Sequence, residues 1–331
     1  LRTGDVAAHA YLGIGKRLVG GAVLLALVAG GLVRFASYRG MDASVVGGQA
    51  QAHLAALAVS GVCSIGYVVC KGTALRQAGW VAGIPLGRFA SVRLFCESAV
   101  IDILTWPGKV WSDAYKYRML APAAAKRRLT ALLGFRGGMM LGAAGLAAVA
   151  SVVVLRRMDG TGNPPLLRIA VLVLLVVAYL GMRRGGSLRP RRVDNRLIAV
   201  VGCGLAAGIA DAMAAGVLSQ SICRVAVADF APWYVLVSVV AVVSQLPAGI
   251  VVLDVGFWFV LTRVFDAPPA AASATVLLYR LAGPGLTLGA GIAGLAHRVL
   301  IAKEPGTTPV ADPGAAPEPC FAMRHTIGNS Q

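Results

Sequence analysis

Acidic residues are scarce in this chain: 14 Asp and Glu stand against 31 Lys and Arg among 331 residues, and charged residues of both signs make up only 14%. Soluble globular domains carry about a quarter charged residues, so a fully water-exposed surface is excluded. Histidine is scarcer still, at four. The cysteines (Cys63, Cys70, Cys96, Cys203, Cys223 and Cys320) form no CxxC and pair with no histidine at ligand spacing, so they read as apolar filler. No metal and no cofactor is expected. No GxSxG, no HExxH, no Walker loop and no Asp-rich cluster occurs, which leaves no catalytic residue to name and argues against an ATP-driven pump.

What is present is oil. Hydrophobic residues reach 57%, the mean hydropathy is +0.75, and several apolar runs match the roughly 20 helical residues that a hydrocarbon core requires. The runs are Leu18 to Phe35, Ala50 to Cys70, Leu129 to Leu155, Pro165 to Met182, Leu197 to Leu218 and Ala270 to Ala296. Two shorter ones, Leu94 to Trp106 and Trp233 to Leu246, fall short of that length. The expected fold is an all-α polytopic membrane protein with six to eight spans. Residues 1–15 form an N-terminal segment, 16–301 the membrane domain and 302–331 a disordered tail rich in Pro, Ala and Gly. Lys16 and Arg17 precede the first span without a small-residue cleavage site, so that span reads as a retained anchor.

The net charge of +17 lies between the runs, not in a basic and aromatic patch, so it reads as positive-inside topology and no nucleic acid partner is expected. Lys71 to Arg93 carries four basic residues and no acid; Lys109 to Arg128 and Arg183 to Arg196 each carry six and one. These three stretches are expected on the cytoplasmic side, as is the N-terminus. Leu94 to Trp106 then lies between two inside loops and must enter and return. Trp233 to Thr262, between two outside loops, must do the same from the other face, turning near "LPAG". Non-helical backbone at membrane depth survives only beside protein or a water-filled cavity, so each turn marks a candidate polar pocket.

The two hairpins share a pattern. "TWPGKVWSDAY" (Thr105 to Tyr115) and "QLPAGIVVLDVGF" (Gln245 to Phe257) place Gly108, Val110 and Asp113 in register with Gly249, Val251 and Asp254. Each then meets an Ala-Pro with an alanine run, and a span in which Arg136 or Arg280 follows Leu-Leu and an aromatic. The copies, near 94–155 and 233–296, enter from opposite faces, the construction of alternating-access transporters.

Charged side chains inside spans are expensive and face a partner or a cavity. Arg136, Arg280, Asp211 and Asp254 qualify. For the arginines two readings stand, a structural pair with an aspartate and contact with an anionic phosphate, which the planar guanidinium grips bidentately. Asp113 and Asp254 read either as ligand groups or as caps of the helices after each break. Glu97 and Asp102 read as partners of Arg93 or Lys109, or as a cytoplasmic entrance for a cationic head group. His53 reads as a hydrogen-bonded interior histidine. "KVWSDAYKYR", with Lys109, Lys116 and Arg118, reads as an interfacial anchor that also collects anionic lipid heads.

"VSQLPAGIVVLDVGF" followed by "ASATVLLYRLAGPGL" resembles the signature region of the lysylphosphatidylglycerol synthase transmembrane family, the flippase part of the multiple peptide resistance factor proteins. The residues that carry the resemblance are Pro247, Gly249, Asp254, Leu277, Leu278, Tyr279, Arg280 and Pro284. "WPGKVWSDAYKYRML" is similar to the family's central motif, with Lys109 and Trp111 departing from its commoner small residues. The resemblance covers Lys16 to Ile301. It implies movement of aminoacylated phosphatidylglycerol, or a related lipid, from inner to outer leaflet of a bacterial cell membrane, and through it resistance to antimicrobial peptides. Expected partners are membrane phospholipids, a separate aminoacyl-lipid synthase and a second copy of the chain. The aminoacyltransferase-like domain of full-length members is not expected in the residues after Ile301, so synthesis of the lipid is not expected here. Two other functions stay open: a membrane transferase acting on lipid-linked donors, and a non-transporting subunit of such a synthase.

Overall fold

The computed structural model describes residues 43–104, 108–120, 123–158, 195–243 and 250–302. The elements in chain order are α1 (Ala43–Ala52), α2 (Leu54–Val81), α3 (Arg88–Leu104), α4 (Gly108–Met119), α5 (Ala125–Met158), α6 (Asn195–Cys223), α7 (Val227–Val243), α8 (Ile250–Phe259), α9 (Pro269–Arg280) and α10 (Leu286–Ala302). No strand occurs among the described residues. Four helical stretches, Leu54–Val81, Ala125–Arg157, Asn195–Cys223 and Pro269–Arg298, are long and apolar enough to cross a membrane. Their outer faces expose Val62, Ile65, Val149, Ile209 and Ile292, a surface suited to acyl chains and not to water. The chain is a helical membrane protein. The expected spans Leu18 to Phe35 and Pro165 to Met182, the first fifteen residues and the tail beyond Ala302 lie outside the described residues. The chain divides at Gly294: the bundle up to that residue is one unit, and the second, from Leu295, is described as the helical end of α10.

Helix α2 corrects one expectation. Lys71 to Arg93 was expected as a loop, but α2 continues to Val81, because nothing in "KGTALRQAGWV" breaks a helix. It ends where the backbone can turn left-handed: Gly83 has φ +72°, the Ile84 N–H donates to the Gly79 carbonyl at 2.8 Å and the Gly83 N–H to that of Trp80 at 3.0 Å. This is a Schellman closure with glycine just past the cap and Pro85 blocking any continuation. Lys71 therefore sits within a spanning helix.

Helix α6 is the centre of the bundle. It runs antiparallel to α2, since the Arg196 guanidinium lies 4.9 Å from the Trp80 ring at one end and Ser221 bonds His53 at the other. Against α5 it runs parallel, with the Gly138 position facing Val200, Gly142 facing Val201 to Leu205, and Gly208 facing Leu146. Small residues let the backbones approach, which is how helices associate in lipid, where burying apolar area gives no advantage. The basic residues gather at the end shared by the α2 C-terminus and the α5 and α6 N-termini: Arg127 lies beside Gly83, and Arg128 stacks on Tyr117 at 4.2 Å.

Two helix pairs leave opposite ends of this framework. α3 starts after the C-terminus of α2, at the basic end, and packs on α4; α7 starts after the C-terminus of α6, at the other end, and packs on α8. The first pair differs from expectation. Leu94 to Trp106 does not enter and return by itself, because α3 is one helix to Leu104, and the residues read as loop form a further helix, α4, packed on it. The second turn, with "LPAG", lies outside the described residues. Asp113 and Asp254 are not caps: each lies inside its helix, α4 or α8, with its carboxylate on a cation.

Gly142 and Gly137 separate close packing from helix propensity. A Cβ on Gly142 would stand 2.8 Å from the Leu205 nitrogen and the Val201 oxygen, both backbone, whereas a Cβ on Gly137 meets nothing within 4 Å. Gly142→Ala is predicted to cost about 1–3 kcal/mol. Gly137→Ala is predicted to be neutral or to stabilise by up to about 1 kcal/mol. Thermal unfolding of the purified protein in detergent measures both.

Candidate functional site

Pro284 shapes the first half of the site. It has no N–H to bond the carbonyl four residues back, which is that of Arg280, so the helix from α9 into α10 opens into a π turn over Leu281–Gly285. Tyr279 and Arg280 are thereby fixed at the last turn of α9. They point to different partners. The Arg280 Nε donates to Asp254 Oδ1 of α8 at 2.6 Å, with both side chains mostly buried. Asp254 Oδ2 is buried and has no hydrogen-bond partner among the described residues. The Tyr279 hydroxyl donates to Asp211 Oδ1 at 2.7 Å. Tyr234 of α7 donates to Asp211 Oδ2 at 3.1 Å, and the two hydroxyls are 2.5 Å apart.

An aromatic wall holds this constellation. Phe230, Tyr234, Phe257 and Tyr279 are all 2% exposed or less, with Phe257 tilted or edge-on to the other three rings at 4.9 to 5.7 Å between centroids. Such packing removes rotamer freedom from both tyrosines, so their hydroxyls are held in place. On α2, Lys71 lies over the Tyr67 ring at 5.2 Å, and its charge acts on Asp211.

The second half is built on α4 and α5. Asp113 accepts from Arg136 at 3.1 Å and from Lys116 at 3.3 Å. Arg136 is half exposed, while Lys116 is buried against Ser112 and the Phe135 ring. Burial pushes the Lys116 ammonium below its ordinary pKa, with the Asp113 carboxylate pulling the other way. Beside this group, fully buried Glu97 accepts from Arg93 at 2.7 Å and from Tyr115 at 2.7 Å, and Arg93 also donates to the Gly294 carbonyl at 2.8 Å.

The structure thus joins Arg280 to Asp254, Arg136 to Asp113 and Lys116, and Tyr279 to Asp211. Glu97 pairs with Arg93. Arg118 is exposed on α4, and Gly108 and Lys109 lie in its first turn. Pro247 and Gly249 lie outside the described residues. Sequence reasoning missed Tyr234 and Lys71; the signal for Tyr234 was a lone hydroxyl in the apolar run "FAPWYVLV", and Lys71 was assigned to a loop. Among the described residues no group of His, Cys, Asp and Glu could hold a metal. No family model, no curated protein and no solved structure matches this chain.

Burial separates the two ion pairs in energy. Arg280→Ala leaves a buried carboxylate without its cation and is predicted to cost about 3–5 kcal/mol. Arg136→Ala breaks a half-exposed pair and is predicted to cost at most about 1 kcal/mol. Chemical unfolding of the two variants in one detergent checks the contrast.

Proposed function

We propose that this chain is a lipid translocator, a flippase that carries an aminoacylated phosphatidylglycerol or a related phospholipid from the inner to the outer leaflet of a bacterial cell membrane. The observation that carries the reading is the pairing of equivalent residues. Sequence register matches Asp113 to Asp254 and Arg136 to Arg280, and in each copy the aspartate forms an ion pair with the arginine of the same copy. Chance likeness of two Pro-Gly segments would not bring both pairs together. The helix pairs that bear them start at opposite ends of the bundle, which supports an inverted repeat and two half-sites reached from opposite faces.

Each half-site offers a guanidinium held by a carboxylate. A lipid phosphate takes the aspartate's place on the arginine, and the aspartate so released meets the cationic aminoacyl group. Asp254 Oδ2, which has no hydrogen-bond partner among the described residues, is an acceptor for that group. Acyl chains remain in the bilayer against the apolar outer helix faces while the head group crosses. The cluster of Arg76, Arg127, Arg128 and Arg196 at one end supports placing that end, and the N-terminus, in the cytoplasm.

The prediction is tested in vesicles reconstituted with purified protein and fluorescent lysyl-phosphatidylglycerol. Native protein is expected to equilibrate the probe between leaflets, and Arg136→Ala combined with Arg280→Ala to fall to the rate of empty vesicles. The double replacement by lysine keeps charge without the bidentate fork and is expected to lie between, slower than native by roughly tenfold. Unchanged translocation in both double variants rejects the assigned roles.

A further inference from the structure

Asp211, Tyr234 and Tyr279 form a closed triangle of oxygen contacts, and its proton count is informative. The three sides are 2.7 Å from the Tyr279 hydroxyl to Oδ1, 3.1 Å from the Tyr234 hydroxyl to Oδ2, and 2.5 Å between the hydroxyls. A hydroxyl carries one proton and can fill one side. With Asp211 ionised the triangle holds two protons for three sides, so one pair of oxygens must face each other with no hydrogen between them. If each tyrosine donates to the carboxylate, the empty side is the shortest one. At 2.5 Å it is below the ordinary hydroxyl hydrogen bond of about 2.7–2.8 Å, a separation that two unbonded oxygens do not reach. If Tyr234 donates to Tyr279 instead, the empty side is the 3.1 Å one, and Oδ2 of a buried carboxylate faces a hydroxyl oxygen without that donor.

A third proton removes the conflict. With a carboxylic acid at Asp211, the acid donates to one tyrosine, that tyrosine to the other, and the second tyrosine back to the remaining carboxyl oxygen. Every donor and every side is then used once, and the ring closes.

We infer that Asp211 is a proton-binding site within the membrane domain, occupied in this conformation, and that opening the tyrosine ring releases its proton. The groups facing it are accounted for by element. α2 presents Tyr67 and Lys71, α7 presents Tyr234, and α9 presents Tyr279 and Arg280. α5 meets α6 through Gly138, Gly142 and Leu146, and His53 meets α6 at Ser221, towards its far end. Lys71 and Arg280 favour the ionised form, but Arg280 is engaged by Asp254 at 2.6 Å. With Asp211 ionised one side of the triangle carries no proton in either arrangement, and only a third proton fills all three.

Tyr279 and Arg280 are consecutive on one rigid helical turn. A shift of α9 that releases Arg280 from Asp254 therefore also pulls Tyr279 from Asp211, exposing a carboxyl group that can lose its proton. Proton release is thus tied to the same movement that opens the phosphate half-site. This coupling role rests on the translocator reading; the presence of the proton does not.

Infrared spectroscopy of the full chain in lipid, at neutral pH in H2O and D2O, tests the site. The native protein is expected to show the C=O stretch of a protonated carboxylic acid, shifted in D2O and missing in Asp211→Asn. Tyr279→Phe keeps the acid but removes one hydroxyl of the ring, so the band is expected to move in frequency. That second variant decides the matter if Asp211→Asn does not fold. Absence of the band from native protein, its persistence in Asp211→Asn, or an unmoved band in Tyr279→Phe overturns the inference. A failed lipid assay would leave the band in place, and a missing band would leave lipid translocation untouched.

Discussion

A carboxylate surrounded by apolar helices has to find its hydrogen bonds inside the protein, because leaving it unpaired costs several kcal/mol. That constraint organises the bundle. Glu97 takes Arg93 and Tyr115, Asp113 takes Arg136 and Lys116, Asp254 takes Arg280, and Asp211 takes two tyrosines. In every case the partners come from a different helix, or from both a neighbouring turn and a different helix. The polar groups therefore fix which helices lie side by side, while the small residues of α5 and α6 fix how near they come. Apolar contact alone would not select one arrangement in a solvent as apolar as the side chains themselves.

The parts of the fold legible beforehand are those with a local cause. The long runs become α2, α5, α6 and the α9–α10 stretch because length and hydropathy suffice to make them so. The end of α2 also has a local cause in "GWVAGIP", where glycine and proline stand at the positions a Schellman closure requires, but reading Lys71 to Arg93 as a loop passed over it. Comparing the chain with itself put Asp113 in register with Asp254 and Arg136 with Arg280, but not which aspartate meets which arginine. What was not legible depends on contacts distant in sequence. Tyr234 carries no local mark of function, and only the approach of α7 to α6 and α9 brings its hydroxyl to Asp211. Lys71 failed for a related reason: basic residues were counted as loop, yet a long ammonium stem can remain on a spanning helix when an aromatic face such as that of Tyr67 lies beneath it. Charge counting also shortened α3 and dissolved α4, because a helix rich in basic residues carries the same charges as a loop.

The place where the two polar systems meet is the last turn of α9. Tyr279 belongs to the Asp211 ring and Arg280 to the Asp254 pair, and Pro284 follows closely enough to open the next turn into a π geometry. A regular helix hands each displacement on to the following turn through its backbone ladder. At Pro284 that ladder lacks a donor, so α9 can turn or shift against its aromatic wall without carrying α10 along. Because the guanidinium and the hydroxyl are adjacent, neither can leave its partner without disturbing the other. A buried ion pair contributes little net stability once the desolvation of both charges is counted. Under the proposed translocator reading, retaining one at this turn, tied to a hydrogen-bonded carboxyl ring, makes better sense as a two-position device than as a strut: the pair's cost is nearly balanced, so in that proposal a phosphate competing for Arg280 would need to supply only the difference.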